Sequence, residues 1–126
     1  MGRAFVDTSC AVAIALGERG AAAVAARLKR FEELFASNLL EAELRAILAR
    51  ERVAREPDVL TWLDWVFPDR PLTQEIARVL AAGYLRGADT WHVACALHMS
   101  ENPAGVTFLT LDRRQLAVVR RLGFRT

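Results

Sequence analysis

Lysine is nearly missing from this chain: Lys29 is the only one in 126 residues. A phosphatase or phosphoacceptor domain wants a lysine beside its acidic pocket, and Lys29 lies in an early helical segment. Cysteine is scarce too. Cys10 and Cys95 sit among small apolar residues, which excludes a disulfide framework or a zinc site and reads as two buried thiols. With only His92 and His98, no spacing suggests a Ser-His-Asp triad, and no glycine-rich loop is present to cradle a nucleotide phosphate. No apolar run is long enough to span a bilayer. The opening Met1-Gly2-Arg3-Ala4-Phe5-Val6-Asp7 puts an acid where an export signal needs apolar continuity, so a cytoplasmic location is expected. Internal repeats, low-complexity stretches and linkers are also absent, so residues 1–126 read as a single domain.

What is present is a chain 53% hydrophobic and 25% charged, with net charge +2. That composition suits a globular core and excludes disorder. The cations are nearly all arginine, whose planar fork pairs bidentately with phosphate. A balance of +2 does not by itself identify a nucleic-acid binder.

Apolar patterning alternates strand and helix, which predicts an α/β fold around a parallel sheet. Strands are expected over 3–7, 33–36, 65–67 and 105–110, with a short last strand over 124–126. Helices are expected over 9–16, 21–30, 39–53, 58–63, 73–85, 90–99 and 113–122. Ser37 or Asn38 would cap the third of these, Thr73 the fifth and Gly123 would close the last. Gly87 reads as a break, with Asp89 opening the helix behind it.

Four carboxylates stand out against this frame. Asp7 and Asp112 each follow an apolar strand, Ala4-Phe5-Val6 and Val106-Thr107-Phe108-Leu109. Glu43 and Asp89 each stand at the front of a helix. In a parallel α/β domain, strand C-termini and helix N-termini share one edge of the sheet, where ligand sites form. Four acids on one edge repel one another, and a hard divalent cation relieves that repulsion through oxygen ligands. The placement therefore points to a Mg²⁺ or Mn²⁺ site and to phosphate chemistry. Each acid has a bland reading beside this one: Asp7 and Asp89 as helix caps, Asp112 as the opening of a turn.

Four blocks carry a resemblance. They are Val6-Asp7-Thr8-Ser9, Ser37-Asn38-Leu39-Leu40-Glu41-Ala42-Glu43-Leu44-Arg45-Ala46, Ala88-Asp89-Thr90-Trp91-His92-Val93-Ala94-Cys95-Ala96-Leu97 and Phe108-Leu109-Thr110-Leu111-Asp112-Arg113-Arg114. In order and spacing the set resembles the PIN-domain family across essentially the whole chain. Compact size and the aspartate–two residues–histidine block look like a VapC-type toxin. The resemblance implies a three-layer α/β/α sandwich with a central parallel sheet of four or five strands, often dimeric. It also implies a Mg²⁺-dependent endoribonuclease, with Mn²⁺ able to substitute, acting as the toxin of a type II toxin–antitoxin pair. Its partners would be an RNA substrate and a VapB-type antitoxin whose tail occupies the groove.

By the same matching, Asp7, Glu43, Asp89 and Asp112 take the family's acidic catalytic positions, with Asp7, Asp89 and Asp112 holding the metal. Thr8 or Ser9, and Thr110, take the small hydroxyl positions nearby. Glu41 competes with Glu43, but residues two apart point to different helix faces, and the match around Ala42-Glu43-Leu44-Arg45 favours Glu43. His92 shares a helix face with Asp89 and reads either as its groove partner or, preferably, as a packed and hydrogen-bonded histidine. Arg113 or Arg114 at the rim would reach an RNA backbone or simply be solvated. Arg45 and Arg50 line the groove or pair with nearby acids. Trp62, Trp65 and Trp91 read first as core and second as stacking platforms. Alternatives in function are a PIN nuclease of RNA processing outside any toxin pair and a non-catalytic binding module on the same fold.

Overall fold

The computed structural model describes residues 2–126. Strands β1 (Arg3–Val6), β2 (Glu33–Ser37), β3 (Asp64–Val66) and β4 (Val106–Leu109) form one sheet in the order β3-β2-β1-β4. Every neighbouring pair is parallel. Parallel strands covered on both faces are apolar throughout, which is why β1 and β4 were legible as short apolar runs. The pleat then divides their side chains. Ala4, Val6 and Leu109 enter one core with Leu34, Ala36, Leu40 and Leu44. Phe5, Val106 and Phe108 enter the other. Phe5 and Phe108 are register partners, and their rings stack with centroids 5.4 Å apart.

Helices α1 (Thr8–Leu16), α2 (Ala21–Leu28) and α3 (Leu40–Arg50) cover the first core. Helices α4 (Thr73–Ala82), α5 (Gly87–Met99) and α6 (Arg113–Arg121) cover the second. The result is the expected α/β/α sandwich with a central parallel sheet. The fifth strand reduces to a single bridge, Thr107 to Arg125, in which Phe108 N–H donates to the Arg125 carbonyl at 2.8 Å.

Several boundaries differ from expectation for local reasons. β3 covers 64–66, because the ladder ends at the Ser37–Val66 pair and Phe67 is 70% exposed. α3 ends at Arg50, since Arg52 adopts φ +56° and the Val53 N–H turns back to the Leu48 carbonyl. Thr73 lies inside α4, whose capping residue is Leu72, and that helix stops at Ala82. The segment 58–62 is a 3₁₀ turn. Gly87 opens α5 rather than breaking the chain, so Asp89 stands in the first turn and is not the cap. Neither Ser37 nor Asn38 is the cap of α3, although Ser37 Oγ accepts the Leu39 N–H at 3.2 Å. Gly123 closes α6 at φ +97°, in the left-handed region that a Cβ disfavours.

The chain leaves β1 for β2 and β3 on one side and returns for β4 on the other. The β1/β4 junction is thus a topological switch point, the place where open parallel sheets form a crevice beyond their strand C-termini. Asp7 follows β1 there, and Thr110 and Asp112 follow β4.

Candidate active site

Each of the four acids stands at a helix N-terminus, where the positive end of the helix dipole favours it. Asp7 caps α1 and Asp112 caps α6; Glu43 and Asp89 stand in the first turns of α3 and α5. For Asp7 and Asp112 the capping role and the site position are therefore the same fact. Asp7 is only 3% exposed. Its Oδ2 accepts the Ser9 N–H at 3.0 Å and its Oδ1 accepts Gln115 Nε2 at 3.1 Å. Asp112 Oδ1 accepts the Arg114 and Gln115 backbone N–H groups at 2.8 and 3.1 Å.

Glu43 belongs to a second set of bonds that ties three layers together. Thr8 Oγ1 donates to Glu43 Oε1 at 2.7 Å, and His92 Nε2 reaches the same oxygen at 2.5 Å. His92 Nδ1 lies 2.6 Å from Ser37 Oγ, at the end of β2. One tautomer satisfies every group: Ser37 O–H donates to Nδ1, and Nε2–H donates to Glu43. The histidine is fully buried. It serves Glu43, on the opposite helical layer, and not Asp89 on its own helix. Glu41, by contrast, is half exposed and bonds Arg45 at 2.8 Å, so it turns away from the site.

Gln115 is the residue sequence reasoning missed. Its side chain is fully buried and receives the Thr110 hydroxyl at 2.6 Å while donating to Asp7. Thr110 Oγ1 in turn accepts the Asp112 N–H at 3.0 Å, and Ser9 Oγ accepts the Leu111 N–H at 3.0 Å. The available signal was the spacing Asp112-Arg113-Arg114-Gln115, a capping-box pattern. Buried polar residues cluster here: Asp7, Thr8, Ser37, His92 and Gln115 all belong to this edge. Among the described residues every buried side-chain donor and acceptor is partnered. A buried network that is fully satisfied holds its members in one arrangement.

The electrostatics separate two of the acids. Burial would raise the Glu43 carboxyl, but the hydrogen bonds from His92 and Thr8 outweigh it and hold the group below its ordinary value. Asp89 moves the other way: partial burial raises it, and the charges of Asp7, Asp112 and Glu43 push further in that direction. The acids are thus close enough to repel. Among the described residues, however, no three His, Cys, Asp or Glu side chains are grouped as ligands around one ion. Both Asp7 oxygens and Glu43 Oε1 are engaged by protein donors, and like charge holds bare carboxylates apart. The donor set is nevertheless all oxygen and its charge is uncompensated at Asp89, which fits a hard divalent cation.

Asp89 and Asp112 open on a cleft of about 520 Å³ whose rim carries Arg86, Arg113, Arg114 and Tyr84. A smaller hollow of about 250 Å³ beside Ile14, Arg55 and Trp62 shares none of these residues. Arg45 pairs with Glu41 and Glu56, and Arg50 with Glu51, so neither serves the cleft. Trp62, Trp65 and Trp91 all pack against core; Lys29 Nζ sits 4.5 Å over the Trp62 ring, and Trp91 Nε1 donates to Asn38. Cys10 and Cys95 are buried free thiols, each pushed up to about 12 by that burial.

No curated protein and no solved structure matches this sequence closely enough to count as similar. A family model does: the PIN domain matches residues 4–122, from β1 through α6. That span takes in all four carboxylates, the switch point and both helical layers, and the chain accordingly belongs to the PIN domain family.

Proposed function

We propose that this chain is a divalent-metal-dependent endoribonuclease and the toxin of a VapBC-type toxin–antitoxin pair. PIN domains are generally nucleases, and they act on nucleic acids. The observation that carries the nuclease reading is the crowding of negative charge at Asp89 by Asp7, Asp112 and Glu43, acids that four elements bring within electrostatic reach of one another. The toxin assignment rests on the order and spacing of the four sequence blocks. A VapB-type antitoxin, a homodimer and an RNA substrate go with it as parts of the same proposal.

A Mg²⁺ or Mn²⁺ ion, when bound, polarises a phosphoryl oxygen and acidifies a water. Asp7, Asp89 and Asp112 would hold it. Asp7 is prepared for this by Gln115 and the Ser9 N–H, which fix its plane. Glu43 stays ionised because Thr8 and His92 both bond Oε1, and its Oε2, which takes no hydrogen bond among the described residues, orients the attacking water. Thr8, Ser9 and Thr110 act by holding the acids in place. Attack in line on a phosphodiester then needs only positioning and charge neutralisation from the protein.

The test is cleavage of total cellular RNA by wild type and Asp7→Asn, with Mg²⁺ or Mn²⁺ and with EDTA. Discrete fragments that vanish with EDTA and with the variant are the expected result. Unaltered cleavage by Asp7→Asn would end the assignment. A second reading, a non-catalytic PIN-like binding module, draws on the lack of three grouped ligands. Failure of the folded wild type to take up Mn²⁺ in calorimetry would favour it.

A further inference from the structure

The acidic cleft lies beyond the C-terminal ends of the strands, and the opposite edge of the sheet is basic. Arg3 opens β1 there, with Glu33 as its register partner on β2. Arg27 stands in the last turn of α2 and Arg30 just past its end. Arg125 faces Thr107 of β4 in the single bridge that extends the sheet. A hollow of about 320 Å³ brings Arg27, Arg30 and Arg125 together over Phe31 and Thr107. Thr107 alternates with Val106 and Phe108, which enter the core on the other face, so its hydroxyl points toward the α2 side.

No acidic side chain lines this hollow. Its three arginines are exposed, and none makes an ion pair among the described residues. Lys29, between two of them in sequence, turns away onto the Trp62 ring at 4.5 Å. A helix C-terminus favours a cation, which accounts for Arg27. It does not account for Arg125, which lies beyond the end of α6. Three like charges around one concavity repel one another. An oxyanion shared between guanidinium forks relieves that repulsion. Arginine and threonine are also among the groups that take phosphate oxygens of a nucleic acid.

We propose that this hollow is a second RNA contact, a phosphate-binding site on the strand N-terminal edge. Residues 107 to 112 cover on the order of 16 Å at the rise of a strand, so the hollow and the acidic cleft meet different phosphates. Arg27, Arg30 and Arg125 hold a segment of the RNA remote from the scissile bond, with the Thr107 hydroxyl donating to the same phosphate. The inference rests on the proposed function for the identity of the nucleic acid, and not on cleavage taking place.

The test is binding of a fluorescent RNA hairpin by polarisation over a series of salt concentrations, in EDTA so that the RNA is held and not cut. Arg27→Gln and Arg125→Gln are each expected to lower the slope of log affinity against log salt by about 0.7–0.9, one phosphate contact apiece. Thr107→Val, which keeps the shape of the side chain, is expected to weaken binding about 2- to 10-fold, the loss of one hydrogen bond. Arg78→Gln, an exposed arginine of α4 outside the hollow, is expected to leave the slope unchanged. Unchanged slopes in Arg27→Gln and Arg125→Gln, or no hairpin binding by wild type at low salt, would overturn the inference. An equal drop in Arg78→Gln would also overturn it, as an effect of surface charge at large. So would displacement of the RNA by oligoglutamate at the same concentration of charge, which would make the hollow a surface for an acidic protein. Metal-dependent cleavage with unchanged slopes would sink this site alone. Lowered slopes in a protein that never cleaves would uphold the site and sink the nuclease reading.

Discussion

At the residue scale, Asp89 is where stability and the proposed function conflict. Its folded-state value is raised, so its contribution to stability is fully present below the unfolded value near 3.8 and is lost as pH rises through the folded value. Wild type at pH 7 therefore bears a penalty that Asn would not. Asp89→Asn is expected to raise the melting temperature in EDTA by about 1–3 °C, a modest amount because the group is partly solvated, while abolishing cleavage. A lower melting temperature would contradict the crowding of charge at this position. Glu43 has the opposite sign. Its folded value is depressed, so its contribution is present above about 4.5 and disappears as pH falls through the folded value. Gln115→Leu removes the donor to Asp7 and the acceptor of Thr110 at once. Urea unfolding should show a loss of about 1–3 kcal/mol, the cost of leaving buried polar groups unpaired. For Gln115 the capping-box spacing after Asp112 marks a helix start but not a partner for Asp7. The His92–Glu43 contact left no local signal, since the two are 49 positions apart on different helices.

At the scale of elements, the close approach of α4 to α6 depends on Gly83. A Cβ there would lie 2.9 Å from Val118 Cγ2 and 3.1 Å from Arg121 Nη1. Gly83→Ala should cost about 1–3 kcal/mol through overpacking. Gly87 offers the contrast: a Cβ meets nothing within 4 Å, and the residue opens α5. Gly87→Ala should stabilise by about 0.4–1 kcal/mol by restricting the unfolded chain. Paired chemical denaturation curves check both, and a similar response of the two variants would refute the packing argument. Helices and strands were readable because apolar periodicity is a local property. Their ends were less so, since they are decided by tertiary contact: the sheet ladder stops β3 at Val66, and α5 gains its first turn when Thr90 N–H finds the Arg86 carbonyl.

At the scale of the whole molecule, the four carboxylates are linked through one electrostatic site. An ion that binds only the folded state stabilises it by mass action, about 2.7 kcal/mol at a hundred times its dissociation constant. Adding Mn²⁺ should therefore raise the melting temperature of wild type, and EDTA should reverse it. Asp7→Asn should abolish most of that shift while leaving the EDTA value within about 1 kcal/mol, because Asn caps a helix as well as Asp. A full Mn²⁺ shift in the variant would remove Asp7 from the ligand set.

The sequence by itself determined the α/β class and the strand–helix alternation and singled out four candidate acids, because hydrophobic period and motif order are written along the chain. Helical spacing put Glu41 and Glu43 on different faces, and the match to the family's blocks favoured Glu43. Only the tertiary structure decided the strand order and the switch point between β1 and β4. The same holds for the layer-spanning set Ser37–His92–Glu43–Thr8 and the anchoring of Asp7 by Gln115. Each depends on which residues meet after the chain crosses the sheet, and such pairings leave no local signal because burial and partner are properties of the packed molecule.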